Sequence, residues 1–376
     1  MTQVAFNRPY ITGTETTYIA DAMRRGHVSG DGHYTTRAAE LLRPLVGGSN
    51  VLLTTSCTHA LEMAALLIGL EPGDEIIMPS FTFVSTANAF ALRGARPVFV
   101  DIRDDTCNID EKLIEQAITA RTRAVVVVHY AGVACEMDEI LAVASRYGIV
   151  VVEDNAHGLG GGYRDRPLGS FGSLSTLSFH ETKNVHCGEG GALVVVDPTL
   201  FERAEIIREK GTDRSRFFRK QVDKYSWVDV GSSYLPSDIL AAFLTAQLEM
   251  FGSIQAARMK IWQRYAQSLG GWAELSGFRL PDPPSHTQHP AHLFWLLAPD
   301  LSTRSRFIAH MDSNGVKVLF HYVPLHSSTY GSQLGATELP ITDSVSNRLI
   351  RLPLFAGLQD DEVDHIIESI FTFPVS

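Results

Sequence analysis

Between about residue 50 and residue 200, short runs of β-branched and aliphatic residues alternate with segments whose apolar positions recur every three or four residues. The first pattern is that of buried strands and the second that of helices packed over them. Together they predict strands at 51–53, 75–78, 97–101, 124–129, 149–153, 174–179 and 192–196, with helices at 60–68, 111–120 and 139–147. Runs that are apolar at every position belong to strands covered on both faces, so a large α/β domain with a mostly parallel seven-stranded sheet is expected over residues 1–245. Past residue 240 the pattern changes to a long helical stretch, 237 to about 266, followed by a Pro-rich loop at 281–290. Strands at 292–297 and 316–322 and helices at 303–314 and 360–369 then predict a smaller α+β domain over 246–376. Two domains agree with a length of 376 residues, since single cores stop growing at roughly 250–300 residues.

Composition narrows the functional classes. Hydrophobic residues make up 45% and charged ones 20%, which favours neither a disordered nor a fibrous chain. A net charge of -10 leaves no global basic field, so nucleic acid is not an expected partner; the local cluster Arg214, Arg216, Arg219 and Lys220 remains a candidate contact for a phosphorylated small molecule. Thr2 to Arg8 is a mixed run unlike a secretory signal, and no stretch offers about 18 uninterrupted apolar residues, so no membrane partner and a cytoplasmic location are expected. Cys57, Cys107, Cys135 and Cys187 are scattered without a C-x-x-C pair and read as reduced thiols rather than a disulfide or metal framework.

Ligands of open α/β sheets sit beyond the carboxyl ends of the strands, and four such ends carry suggestive side chains. Thr55-Ser56-Cys57-Thr58-His59-Ala60 is a polar turn that opens a helix: either an anion site or an ordinary N-cap by Ser56 or Thr58. The strand at 149–153 ends in Glu153-Asp154, followed by Asn155-Ala156-His157; Asp154 alone fits a metal, a helix cap or an ion pair equally well. Ser178-Phe179-His180-Glu181-Thr182-Lys183-Asn184 places a lysine between two buried strands, where a desolvated amine becomes a nucleophile toward an aldehyde, although a lysine beside glycine-rich turns is commonly just solvated. Pro79-Ser80-Phe81-Thr82-Phe83 carries two aromatics, one to stack on a planar ring or both to pack a core. An anion site, an acid, an amine and an aromatic are together what pyridoxal phosphate requires.

Long runs, among them PSFTFVSTANAF, VHYAGVACEMD, SFHETKN, GEGGA, AEIIREKGT and VGSSYLPSD, resemble the DegT/DnrJ/EryC1 sugar aminotransferases, from FNRPYITGTE near the start to RLPLF near the end. The resemblance implies aminotransferase fold type I, with pyridoxal 5'-phosphate carried by Lys183 as a Schiff base, Asp154 on its ring nitrogen, His157 beside the ring and Phe83 stacked on it. It further implies a phosphate cradle of Thr58 and His59, mostly through backbone, and Ser178 through its hydroxyl. Ser233 stands where many relatives carry the asparagine of a G-x-N-x-R segment contributed by a neighbouring subunit; here the segment is Gly231-Ser232-Ser233-Tyr234-Leu235. A homodimer or higher homo-oligomer is expected on the same basis. The implied reaction is transfer of the amino group of glutamate to a nucleotide-linked 4-keto-6-deoxyhexose, dTDP-4-keto-6-deoxy-D-glucose, giving dTDP-4-amino-4,6-dideoxy-D-galactose and 2-oxoglutarate. Rival readings are a pyridoxamine-dependent sugar dehydratase, in which the lysine is replaced by histidine, and a non-catalytic cofactor-binding regulator. Gly158-Leu159-Gly160-Gly161-Gly162 is not G-x-G-x-x-G, which argues against a nicotinamide enzyme. Next to Lys183-Asn184, the Val185-His186-Cys187 link is one residue shorter than in the likeness, so the loop there is expected to differ in shape.

Overall fold

The computed structural model describes residues 3–374, so the outermost residues of both expected domains lie outside the described residues. Seven strands, β1 (Asn50–Thr54), β2 (Glu75–Pro79), β3 (Arg96–Val100), β4 (Thr122–Val128), β5 (Val150–Asp154), β8 (Leu174–Ser178) and β9 (Gly191–Val195), form one sheet in the order β1-β9-β8-β5-β4-β2-β3. The hairpin strands β6 (Gly162–Tyr163) and β7 (Arg166–Pro167) pair with β10 (Thr287–Gln288) in a small separate sheet. Pairing in the large sheet is parallel from β8 through β3, and β9 alone runs against both its neighbours. Each expected strand of this sheet is present, with ends moved by at most a few residues.

Consecutive residues of a strand feed opposite faces, and the valine run of β4 therefore serves two cores. Ala124 and Val126 pack with Met63, Ala64 and Phe90, whereas Val125 and Val127 pack with Ile114, Met137 and Ile140. The Cys57–Ile68 helix lies on the first of these faces. Gly191, at the start of β9, passes so close beneath the beginning of that helix that a Cβ would stand 2.3 Å from the Cys57 nitrogen. Glycine is required there to bring helix and strand together at one point.

The expected helical stretch at 237–266 is two helices, Asp238–Glu249 and Phe251–Ser276, bent by 61° across Met250. The break reflects two different partners: the first helix packs against Glu15–Arg24 and His33–Leu42, and the second against Asp360–Phe371. By length and composition this bent pair passes for a broken membrane span, but no single helix among the described residues is long and apolar enough to cross a membrane.

Beyond the bend, β11 (Phe294–Leu297) pairs antiparallel with β12 (Leu349–Leu352). The expected strand at 316–322 does not form a regular ladder. Val316 makes a single parallel bridge to Val4, and Leu319 a single antiparallel bridge to Arg351. The alternation that predicted a strand records burial instead, since Val316 and Val318 are enclosed and Phe320 is exposed. Val4 thereby joins the core of the C-terminal part, beside Phe294, Phe307 and Ile350, and Arg8 pairs with Glu362 at 2.9 Å.

The last two residues of β5 divide structure from chemistry. Glu153 is fully enclosed and accepts hydrogen bonds from the backbone N–H groups of Gly169 (2.8 Å), Phe171 (2.7 Å) and Gly172 (2.9 Å). His129 Nδ1 accepts from the Cys135 N–H, which leaves its Nε2–H to donate to Glu153 at 3.1 Å. Burial works to raise the Glu153 pKa, but the His129 contact and the amides overcome it and hold the carboxyl below its ordinary value. Glu153→Ala leaves these donors unpaired in a dry core and is expected to cost about 3–5 kcal/mol in denaturant unfolding. Because the folded pKa is depressed, the contribution is fully present above the unfolded value of roughly 4.3 and is lost as pH falls through the folded one. Acid unfolding of the wild type, compared with Glu153→Gln, measures that share.

Candidate active site

A cavity of about 540 Å³ opens where β1, β2, β4, β5 and β8 end, and residues around β12 close it from the other side. Asp154, Ser178, Lys183, His157, Thr58 and Phe83 all line it. Asp154 and Ser178 are the final residues of β5 and β8, Thr58 lies in the first turn after β1, and Phe83 directly precedes the Val84–Ala91 helix that follows β2.

Asp154 points opposite to Glu153. It is buried and accepts from Thr86 Oγ1 at 2.7 Å and the Ala156 N–H at 3.2 Å. No lysine or arginine stands within ion-pair distance of it among the described residues, nor do His, Cys or acidic side chains gather there into a metal-ligand cluster. Burial raises its pKa, opposed mainly by the Thr86 hydrogen bond. A buried carboxylate in that condition lacks a cation.

Lys183 is partly buried, and its Nζ has no hydrogen-bond or ion-pair partner among the described residues. Burial brings its pKa down to about 8, against the pull of nearby groups including Asp154. The neutral, nucleophilic amine is therefore far more available than in a solvated lysine. His157 stacks on His292 with centroids 4.3 Å apart; its Nδ1 is enclosed without a partner, and its Nε2 lies 3.5 Å from the Tyr322 hydroxyl. Burial takes its pKa well below the ordinary value, so the ring is neutral. Phe83 leaves 59% of its surface open, unlike the enclosed Phe81 beside it.

The N-cap reading of the 55–60 turn holds, and the turn also borders the cavity. Ser56 caps the helix by accepting the His59 N–H at 3.1 Å, while the Cys57 and Thr58 N–H groups remain at the helix start facing the cavity, with Thr58 Oγ1 2.7 Å from Ser85 Oγ. His59 itself does not line the cavity: its N–H is taken by the cap and its ring contacts Thr55 Oγ1 and Tyr234. Ser233 is exposed and stands outside the cavity of its own chain, in a bridge with Glu209.

Several lining residues escaped the sequence reading. Thr86 had a signal, since it lies in the first turn of the helix that Phe83 precedes. His292, Arg351, Phe6 and Asn7 had none, because they reach the cavity only through packing of the C-terminal part and the leading segment. His321 and Tyr322 also line the cavity, whereas the nearby His326 is held by Ser80 Oγ at 2.8 Å and Asp343 at 3.4 Å and fixes a loop. The basic residues at 208–220, Lys220 included, do not line the cavity. Arg208 pairs with Asp31 (2.7 Å), Lys210 and Arg214 with Glu209 (3.0 and 2.9 Å), Arg216 with Glu202 and Arg219 with Glu205 (2.8 Å).

These residues fit pyridoxal phosphate. Asp154 supplies the carboxylate for a protonated ring nitrogen, Phe83 an open aromatic face, and the Cys57–Ile68 helix start with Thr58 and Ser178 a phosphate cradle. Known proteins agree with that fit. The chain is 32% identical over 375 residues to the spore coat polysaccharide biosynthesis protein SpsC of Bacillus subtilis, covering 97% of this chain and 95% of the relative. The aminotransferase TlmJ from Streptoalloteichus hindustanus has the same fold, with a TM-score of 0.90 at 27% identity over 98% of both chains. So does the PLP-form of Spr1654, a candidate sugar aminotransferase from Streptococcus pneumoniae, with a TM-score of 0.91 at 28% identity over 99% of this chain and 98% of the other. The model of the DegT/DnrJ/EryC1/StrS aminotransferase family matches residues 9–371, nearly the whole length over which the cavity and its supporting elements are built, and the chain belongs to that family.

Proposed function

We propose that the protein is a pyridoxal 5'-phosphate-dependent sugar aminotransferase that moves the amino group of glutamate to C4 of a nucleotide-linked 4-keto-6-deoxyhexose. The observation that carries this reading is the coexistence, in one cavity, of an unpartnered desolvated amine, Lys183, and a buried carboxylate without a cation, Asp154. When bound, the cofactor supplies an electron sink that stabilises negative charge on the carbon next to the transferred nitrogen. Asp154, held by Thr86, would pair with the ring nitrogen and favour its protonated form. Phe83 and the neutral His157, both in the cavity wall, would contact the ring and limit the access of water to it. Among the described residues Lys183 is the only lysine lining the cavity, so both covalent attachment and the movement of a proton to and from substrate carbon fall to it.

The finer substrate is dTDP-4-keto-6-deoxy-D-glucose and the product dTDP-4-amino-4,6-dideoxy-D-galactose. Long sequence runs support this, and the apolar wall of Leu319, Leu352 and Leu354 suits a sugar whose C6 is a methyl group. We further assign residues 1–245 to a cofactor-binding domain and 246–376 to a smaller one; the bend at Met250 supports a boundary there. A homodimer is the expected assembly, with Ser233 of one chain offered to the site of the other. The exposed Phe218, Tyr225, Trp227 and Val228 in the preceding segment favour a covered surface.

The test is an absorption spectrum of the loaded protein before and after glutamate, followed by a screen of sugar nucleotides. The yellow colour should be bleached by glutamate and restored by dTDP-4-keto-6-deoxy-D-glucose in preference to other keto sugars. A protein whose colour no amino acid changes is not an aminotransferase; one that is bleached but restored only by a different keto sugar retains the class and loses the substrate.

A further inference from the structure

Arg351 is a cation without an anion. Its backbone is locked in β12, donating to the Leu319 carbonyl at 2.6 Å and accepting from the Leu319 N–H at 3.3 Å, and its side chain lines the same cavity as Lys183. The Phe6 ring covers one face of the guanidinium, with its carbon 4.6 Å from the centroid. Its Nε is fully enclosed without a hydrogen-bond partner, and no carboxylate lies within ion-pair distance among the described residues. The other buried arginines differ. Arg258 donates to the carbonyls of Ala291 and His292, and Arg208 is bound to Asp31. Around Arg351 stand Tyr130, whose enclosed hydroxyl also lacks a partner, Tyr322, and His157, His292 and His321, all kept neutral by burial. A partly desolvated guanidinium with nothing to offset it is costly, and an arriving anion removes that cost.

We propose that Arg351 anchors a carboxylate of the amino donor, an inference that rests on the aminotransferase reading. The planar guanidinium matches a carboxylate in a two-point contact. Position favours the donor over the sugar nucleotide. Arg351 lines the same cavity as Lys183, close enough for the two charges to influence each other. In an amino acid the α-carboxylate sits on the carbon that bears the transferred nitrogen, whereas the diphosphate of a sugar nucleotide stands a whole hexose ring away from C4 and must extend toward the mouth.

The probe is glutarate, which carries both carboxylates and no amine, titrated calorimetrically into the apoprotein and the loaded protein. The wild type should bind it, Arg351→Gln should bind about 10- to 100-fold more weakly, and Arg351→Lys should fall between, with dTDP affinity unchanged in all three. The lysine variant keeps the charge and guards against loss of fold in the glutamine variant, and thermal melts check both. Wild-type protein that does not bind glutarate, or Arg351→Gln that binds it as well as the wild type, overturns the proposal. A loss of dTDP affinity with glutarate affinity retained overturns it in favour of a phosphate anchor. Failure of the aminotransferase reading is seen separately, as loaded wild type whose colour no amino acid changes, because glutarate binding needs no turnover.

Discussion

Lys183→Ala is expected to lose all covalent attachment of the cofactor and more than about 10³-fold of turnover while keeping its fold, since one side chain supplies both the nucleophile and the acid–base group. Intact-mass measurement after borohydride should show the cofactor's added mass on the wild type alone. Stability should move the other way. Lys183 has no partner to lose, and burial brings its pKa down to about 8, so the folded apoprotein carries the cost of a desolvated ammonium. Below about pH 8 that cost is present in full, and it fades as pH rises from there toward the unfolded value of roughly 10.4. The alanine variant should therefore melt higher than wild-type apoprotein at neutral pH, with the gap closing in alkaline buffer. An unchanged melting temperature would place the amine in water and remove the basis for its reactivity.

Asp154→Asn should lower turnover on the order of 10²- to 10³-fold, the effect of removing one partner from a buried charge pair. Asparagine keeps the shape and can still accept from Thr86, so the loss isolates the charge. In the apoprotein that charge has no cation, and burial raises its pKa. Its cost is absent below the unfolded value of roughly 3.9 and grows as pH rises through the folded one. Apoprotein carrying Asp154→Asn should thus be the more stable at neutral pH, and saturating cofactor should shrink or reverse the difference. Equal melting of the two apoproteins across that range would show that Asp154 is already compensated. Thr86→Val should produce a smaller change in the same direction, since it removes one hydrogen bond from the carboxylate.

The large sheet was legible because a strand buried on both faces leaves little choice of residue; the valines of β4 and β5 announce themselves without any knowledge of their neighbours. The same logic located Lys183, Asp154, Ser178, Thr58 and Phe83, which all lie at or just past strand ends, the one place in such a sheet where polar side chains gather. Arg351 and His292 were not legible. Each lies in a short apolar run of the C-terminal part, and only tertiary packing turns it toward the cavity. The 316–322 segment was misread for a related reason: alternation reports which side chains are enclosed, not whether the backbone has a ladder partner, and here single bridges on either side replace one. The unbroken helix expected at 237–266 failed because helical periodicity continues across Met250 even though the body against which it packs changes.

The segment Val4–Arg8 contributes Phe6 and Asn7 to the cavity wall, yet its partners are Val316, Arg351 and Glu362. On a ribosome it emerges before Val316, Arg351 and Glu362, the residues it must meet. The large sheet has its strands by residue 195, well before the wall that closes the cavity exists. Maturation of the site therefore follows the sheet, as a segment made before the sheet is captured by a strand and a helix made after it.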